Sequence, residues 1–269
     1  MAEAFFRRDG DEFVPGDAAR GPWDRESLHG RVLSGLLGYA IEQRHGDPAF
    51  QIARLTVDMF RLAPHAPVAV ETRPAREGNR IRVIDATMRV GDVEVARASA
   101  VLLRRTDQPE GTVWSPPDWD APRPEDVPAP VREGRFGFDA GWDTRNVVGS
   151  MGGGPGGPGG PGAAPVQKRS WMRSTIDFVE GEATTPFVRA AAAADFSNPL
   201  ANSGDRGLNF VNADATLYLH RLPVGEWIGF EVASHESAAG IAVGECTLYD
   251  VEGAIGRSAV CAVAQVRRG

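Results

Sequence analysis

The residues able to take part in chemistry are few and widely spaced. His29, His45, His65, His220 and His235 show no ligand spacing among themselves or with the two cysteines, so no metal site and no cofactor are expected. Cys246 and Cys261 both sit in apolar, strand-like text, where a small buried thiol is the usual reading. Asp195 follows a run of five alanines. An acid at the end of helical text ordinarily caps a loop or faces solvent, and it accepts a proton from water efficiently only where burial raises its pKa. His29 and Gly30 stand where a helix begins, with Arg31 after them, and helix starts expose backbone N–H groups. Asn212 carries an amide that both donates and accepts, and at a strand edge it ordinarily satisfies backbone groups. Arg73, Arg76, Arg80 and Arg82 cluster around a predicted hairpin; they read as a solvated face and are the best basic candidate for meeting phosphates.

The elements that must position these groups can be traced along the chain. Its 269 residues, 42% hydrophobic and 24% charged, suffice for two ordinary domains. A net charge of -7 argues against nucleic acid or an anionic membrane as partner, because both demand an excess of basic surface. The opening MAEAFFRRDGDEF lacks the apolar core of a signal peptide, and no stretch is apolar for the length of a bilayer. Two cysteines without a disulfide framework fit a reduced, cytoplasmic protein. Gly149 to Pro165, rich in glycine and proline, predicts a disordered loop at the end of a connector over 106–165. The domains are then expected at 1–105 and 166–269.

In the first half, Ser27 to Gln43 places Leu28, Val32, Leu36 and Tyr39 at helical spacing. Gly35 and Gly38 inside that text predict a backbone lying close, as when a helix presses on a sheet. Strand-like runs follow at 51–60, 68–74, 80–90 and 93–104. The second half repeats the order, with helical text at 185–196 and strands at 209–220, 226–234, 241–249 and 254–266. Pro64 to Arg97 spans 33 positions and Pro223 to Arg257 spans 34, which points to an internal duplication.

A helix followed by an antiparallel meander, twice over, resembles the hotdog fold. The string GPWDRESLHGRVLSGLLGYAIE at 21–42 resembles the opening of the actinobacterial relatives of acyl-CoA thioesterase II. Trp171-Met172-Arg173, Thr185-Pro186, Phe210-Val211-Asn212-Ala213-Asp214 and Leu248-Tyr249-Asp250 resemble the same family's second half. The resemblance implies an α+β double hotdog in which two helix-wrapped sheets pair within one chain into a continuous antiparallel sheet. It also implies hydrolysis of an acyl-CoA to free acid and CoA, and a homodimer of such units is expected.

In that family, water is held between a helix acid, a strand polar residue and a glutamine on the last strand. By position these correspond to Asp195 as the catalytic acid, Asn212 as its polar partner, and a glutamine site at Val260 or Cys261, where no glutamine stands. The family's His-Gly-Gly corresponds to His29, Gly30 and Arg31, the expected substrate-binding group. There a helix-start amide polarises the thioester carbonyl, and the Arg31 side chain crowds the approach or meets a ligand phosphate or carboxylate. Two rivals stay open. The missing glutamine and Arg31 fit a non-catalytic acyl-CoA binder. Asp195-Phe196-Ser197-Asn198-Pro199-Leu200 resembles the Asp-x-Asn-Pro-Leu-His motif of hotdog enoyl-CoA hydratases, with one residue inserted and Ala201 in place of the histidine.

Overall fold

The computed structural model describes residues 3–117, 119–130, 141–149 and 165–265. Most of the glycine- and proline-rich segment expected to be a disordered loop, 150–164, lies outside them. The first unit opens with a hairpin, β1 (Ala4–Asp9) and β2 (Glu12–Pro15), and continues with α1 (Gly30–His45). β3 (Phe50–Met59), β4 (Val68–Arg76), β5 (Ile81–Val90) and β6 (Val93–Arg104) complete it. Next come β7 (Trp142–Val148), β8 (Arg169–Ser174), β9 (Asp177–Val179), α2 (Pro186–Ala194) and α3 (Ser197–Asn202). A two-strand ribbon, β10 (Ser203–Gly204) and β11 (Gly207–Leu208), leads to β12 (Phe210–Asn212), β13 (Asp214–Leu219), β14 (Ile228–Ala238), β15 (Ile241–Asp250) and β16 (Gly253–Ala264).

All but the ribbon join one 14-stranded sheet, ordered β7-β8-β14-β15-β16-β13-β3-β6-β5-β4-β2-β1-β9, with β12 also on β16. Reading outwards from its middle, β3-β6-β5-β4-β2-β1 on one side matches β13-β16-β15-β14-β8-β7 on the other, strand for strand. The halves join antiparallel, Thr216 opposite Thr56 with their hydroxyls 3.2 Å apart. Both threonines, like Arg97 and Arg257, are 160 positions apart in sequence, so that pair marks a local twofold between the copies. Every pairing is antiparallel except the short edge contact of β1 with β9.

The sheet curls around the helices until its ends meet, Phe5 of β1 lying 5.1 Å from the rings of both Trp142 of β7 and Phe178 of β9. α1 is buried from Arg31 to Ile41, against β3 to β6 and against α2. Gly35 and Gly38 are required by close approach, but the neighbour is not sheet backbone. A Cβ at Gly35 would overlap the Phe178 ring, and one at Gly38 would lie 2.9 Å from Ala191 Cβ of α2.

Several expectations are revised. The helical text 185–196 ends at Ala194 and a second helix starts at Ser197, with Pro199 in its first turn, where a missing N–H breaks no intrahelical bond. The strand expected over 209–220 divides at Ala213 into β12 and β13. The hairpin β1–β2 was not expected, and β7 falls inside the stretch read as connector. Cys246 is buried, whereas Cys261 is exposed because strand alternation turns it to the outer face of β16. Upstream of β7 the connector runs over β8 and β15, where Trp119 lies 4.8 Å from Trp171 and 4.8 Å from Tyr249.

Candidate active site

α1 starts at His29, whose Nδ1 accepts the Arg31 N–H at 3.2 Å and caps the helix. That bond occupies Nδ1 as an acceptor, so the neutral ring carries its proton on Nε2. The Val32 and Leu33 amides both turn to His29 O. Gly30 N–H has no protein acceptor among the described residues.

α2 meets this helix start with its opposite end. Asp195 is its C-cap and is buried, and its Oδ1 receives Asn212 Nδ2 at 2.9 Å, while Oδ2 stands 3.8 Å from His29 Nδ1. The Asn212 amide also donates to Asp214 O at 3.1 Å, which fixes which end of the side chain faces the carboxylate. The approach is close enough that a Cβ on Gly30 would lie 2.7 Å from Asp195 Oδ1 and 2.8 Å from Oδ2. Only glycine fits there without moving the acid.

The electrostatics favour a poised base. Burial raises the Asp195 pKa above the ordinary carboxylate range; the Asn212 hydrogen bond and the Arg31 charge pull it part of the way back. Burial, seconded by Arg31, lowers the His29 pKa well below its usual value, so the imidazole beside the acid is neutral. The Arg31 guanidinium lies over the Trp142 and Phe196 rings, at 5.2 and 5.0 Å from their centroids.

These groups share the wall of one cavity of about 650 Å³, formed where α1, α2, α3, β12 and the end of β3 converge. All five residues singled out in the sequence, His29, Gly30, Arg31, Asp195 and Asn212, line it. Leu28, Leu33, Met59, Leu62, Leu208 and Val211 give it an apolar wall, with Trp23 and Arg61 also lining it. Asn198 and Pro199 were not expected here; the Asn-Pro-Leu string was the signal that pointed to them. Neither position weighed for a glutamine reaches the cavity. Val260 is core, the Cys261 N–H binds Asp214 Oδ1, and the residue facing Asn212 across the ladder is Ala262, with Val263 on the cavity wall. Gln265 is exposed, its N–H held by Asn209 O.

The arginines considered for phosphate contact lie elsewhere. Arg82 pairs with Asp47 at 2.9 Å and Arg73 with Asp85 at 3.2 Å, and none of the four lines the cavity. Among the described residues no set of three His, Cys, Asp or Glu side chains is gathered as a metal ion would need. No helix among them is long and apolar enough to cross a membrane.

Comparison with known proteins agrees with this architecture. The chain superposes on a hot dog fold protein of unknown function from Alicyclobacillus acidocaldarius with a TM-score of 0.73, at 17% identity, covering 97% of this chain and 96% of that one. The tesB protein of Mycobacterium avium subs paratuberculosis gives 0.71 at 16% identity, covering 97% and 96%. Acyl-CoA thioesterase II TesB2 of Mycobacterium marinum gives 0.64 at 15% identity, covering 97% and 95%. At these identities the likeness establishes the shared fold. No curated protein matches the chain by sequence. The family model of the acyl-CoA thioesterase N-terminal domain matches residues 19–103, and that of the acyl-CoA thioesterase C-terminal domain matches 116–261. The chain therefore belongs to the acyl-CoA thioesterase family, as a thioester hydrolase built on a double hotdog.

Proposed function

We propose that the chain hydrolyses acyl-CoA thioesters by water activated at Asp195. The observation that carries this reading is a buried carboxylate of raised pKa in the wall of a largely apolar cavity, one oxygen fixed by Asn212 and the other open towards the start of α1. The acyl chain lies along the apolar wall, with its carbonyl at the N-terminal end of α1. Asp195 takes a proton from water as the water oxygen bonds to the carbonyl carbon, and Asn212 keeps the carboxylate and the water in register. Charge then develops on the carbonyl oxygen, where the unshared Gly30 N–H and the positive end of the α1 dipole stabilise it. The tetrahedral intermediate collapses by breaking the C–S bond, and the proton on Asp195 passes to the departing thiolate. Free acid and CoA are the products, and no cofactor is consumed. Arg31 acts at a distance, adding to the burial that keeps His29 neutral and, after the Asn212 hydrogen bond, drawing the raised Asp195 pKa part of the way back.

The reaction fits a homodimer working on cytoplasmic acyl-CoA in lipid metabolism. Low cysteine content supports that placement. A second reading, a non-catalytic acyl-CoA binder, is favoured by one observation: the last strand offers Ala262 and Val263 where a polar group would complete the water site. Thiol release measured over a series of acyl-CoAs, beside thermal stabilisation by the same ligands and the absorbance of an enoyl-CoA, separates the classes. Thiol release is expected, slow for lack of the third polar group. Stabilisation without thiol release would establish the binder, and loss of enoyl absorbance without thiol release would establish a hydratase.

A further inference from the structure

β12, which carries the amide that orients Asp195, is a short strand. It pairs with β16 through three residues only, and all three are partly exposed. A further tie comes from Asn198, a buried residue of α3 on the cavity wall, whose Nδ2 donates to Phe210 O at 3.3 Å and whose N–H donates to Asp195 O at 3.2 Å. An amide side chain can be seated in two ways, and only one presents the donor to Phe210.

That choice is made one helical turn further on. Buried Asn202 donates its Nδ2 to Asn198 Oδ1 at 3.0 Å, which leaves Asn202 Oδ1 to accept from His235 Nδ1 at 2.7 Å. The three side chains thus form a directional series, ring N–H to amide oxygen, amide N–H to amide oxygen, amide N–H to the β12 carbonyl. The backbone around them is adapted to it. β14 carries a register shift between Val232 and Ser234, immediately before His235, of the kind that re-aims a side chain. The ring of His235 rests on Phe210 of β12, centroids 5.8 Å apart. Opposite His235 on β15 stands Gly244, where a Cβ would fall 2.6 Å from Asn202 Oδ1 and 2.7 Å from Ala201 Cβ, so any side chain there would push α3 away.

We propose that His235 and Asn202 are positioning residues for the active site: they fix the orientation of the Asn198 amide, and through it hold β12 and the Asn212 side chain against Asp195. The proposal rests on the reading of Asp195 and Asn212 given above. Neither His235 nor Asn202 lines the catalytic cavity, so their effect is on the chemical step rather than on substrate binding.

Two variants separate the hydrogen bond from packing. His235→Phe keeps a ring on Phe210 and loses the donor, whereas His235→Asn restores a donor where Nδ1 stood. His235→Phe should lower kcat about tenfold or more, the cost of a small displacement of catalytic groups, with KM little changed, and His235→Asn should recover most of the loss. The Asn212 side-chain amide resonances in the 15N-labelled protein give a second readout, independent of activity. They should shift in His235→Phe and return in His235→Asn. A His235→Phe enzyme with wild-type kcat and unmoved Asn212 resonances, or two variants equally impaired, would overturn the proposal. A wild type that releases no thiol would instead overturn the assignment of the active site, and the resonances would still decide the positioning role.

Discussion

The two helices cross so that each end of α1 faces an end of α2, and the two crossings have parted company. At one, the carboxylate of Asp195 from the end of α2 meets the start of α1 at His29 and Gly30. At the other, the carboxylate of Glu42 near the end of α1 meets the start of α2, where the Thr185 hydroxyl donates to it. Burial raises the pKa of both acids. Around Asp195 lies a cavity of about 650 Å³; around Glu42 a pocket of about 270 Å³, walled by Phe50, Ile52, Leu102, Phe187 and Leu222.

Two local differences account for this. The first helical residue is Gly30 at one crossing, with an N–H to offer, and Pro186 at the other, which has none. α1 also runs unbroken to His45 and soon enters β3, whereas α2 stops at Ala194 and α3, β10, β11 and β12 intervene before β13. The inserted elements build the cavity wall and supply Asn212. Each crossing thus carries a buried acid, while a first helical residue with an N–H, the larger cavity and the Asn212 amide stand at the Asp195 end.

The comparison can be broken at several points. Gly30→Ala brings a Cβ to within 2.7 Å of the Asp195 carboxylate, so the acid must move. A displacement of about 1 Å costs about a hundredfold in kcat, to be read in thiol-release kinetics. Retention of wild-type kcat would show that the contact at the start of α1 is incidental. Next in size, Asn212→Leu removes a donor to a buried carboxylate, a bond worth about 1.5–3 kcal/mol, or roughly ten- to a hundredfold in rate. Because that bond pulls the Asp195 pKa down, its loss should also move the rising limb of the pH–rate profile to higher pH.

The smallest effect is on stability. The Asp195 pKa is raised on folding, so the native state loses stability as pH rises through that pKa, and Asp195→Asn escapes the loss. The variant should melt above the wild type at about pH 8, and the gap should narrow as pH falls below the raised pKa. A gap that widens on acidification would mean that Asp195 is stabilised as the anion.

Much of this was legible in the sequence, for identifiable reasons. The strands β3, β5, β6, β15 and β16 alternate over most of their length between buried and outer residues, and the spacing from Pro64 to Arg97 echoes that from Pro223 to Arg257. The hairpin β1–β2 escaped because its charged text, Arg7, Arg8 and Asp9, is that of an exposed edge. The second helix α3 was not legible because nothing local announced that it begins two residues before Pro199, which its first turn tolerates. The site's polar residues could be named by resemblance, but the cavity could not. Its wall draws on residues 22–33, 59–63, 195–199, 208–213 and 263, and only the closure of the sheet around the helices brings them together.

We propose hydrolysis at the Asp195 crossing and not at the Glu42 crossing. Its most direct test is thiol release from one acyl-CoA by Asp195→Asn and Glu42→Gln, side by side with the wild type. Loss of a positioned general base costs about a hundredfold to ten-thousandfold, so Asp195→Asn should fall by that much while Glu42→Gln keeps the wild-type rate. Equal rates in wild type and Asp195→Asn, or a collapse in Glu42→Gln alone, would contradict it.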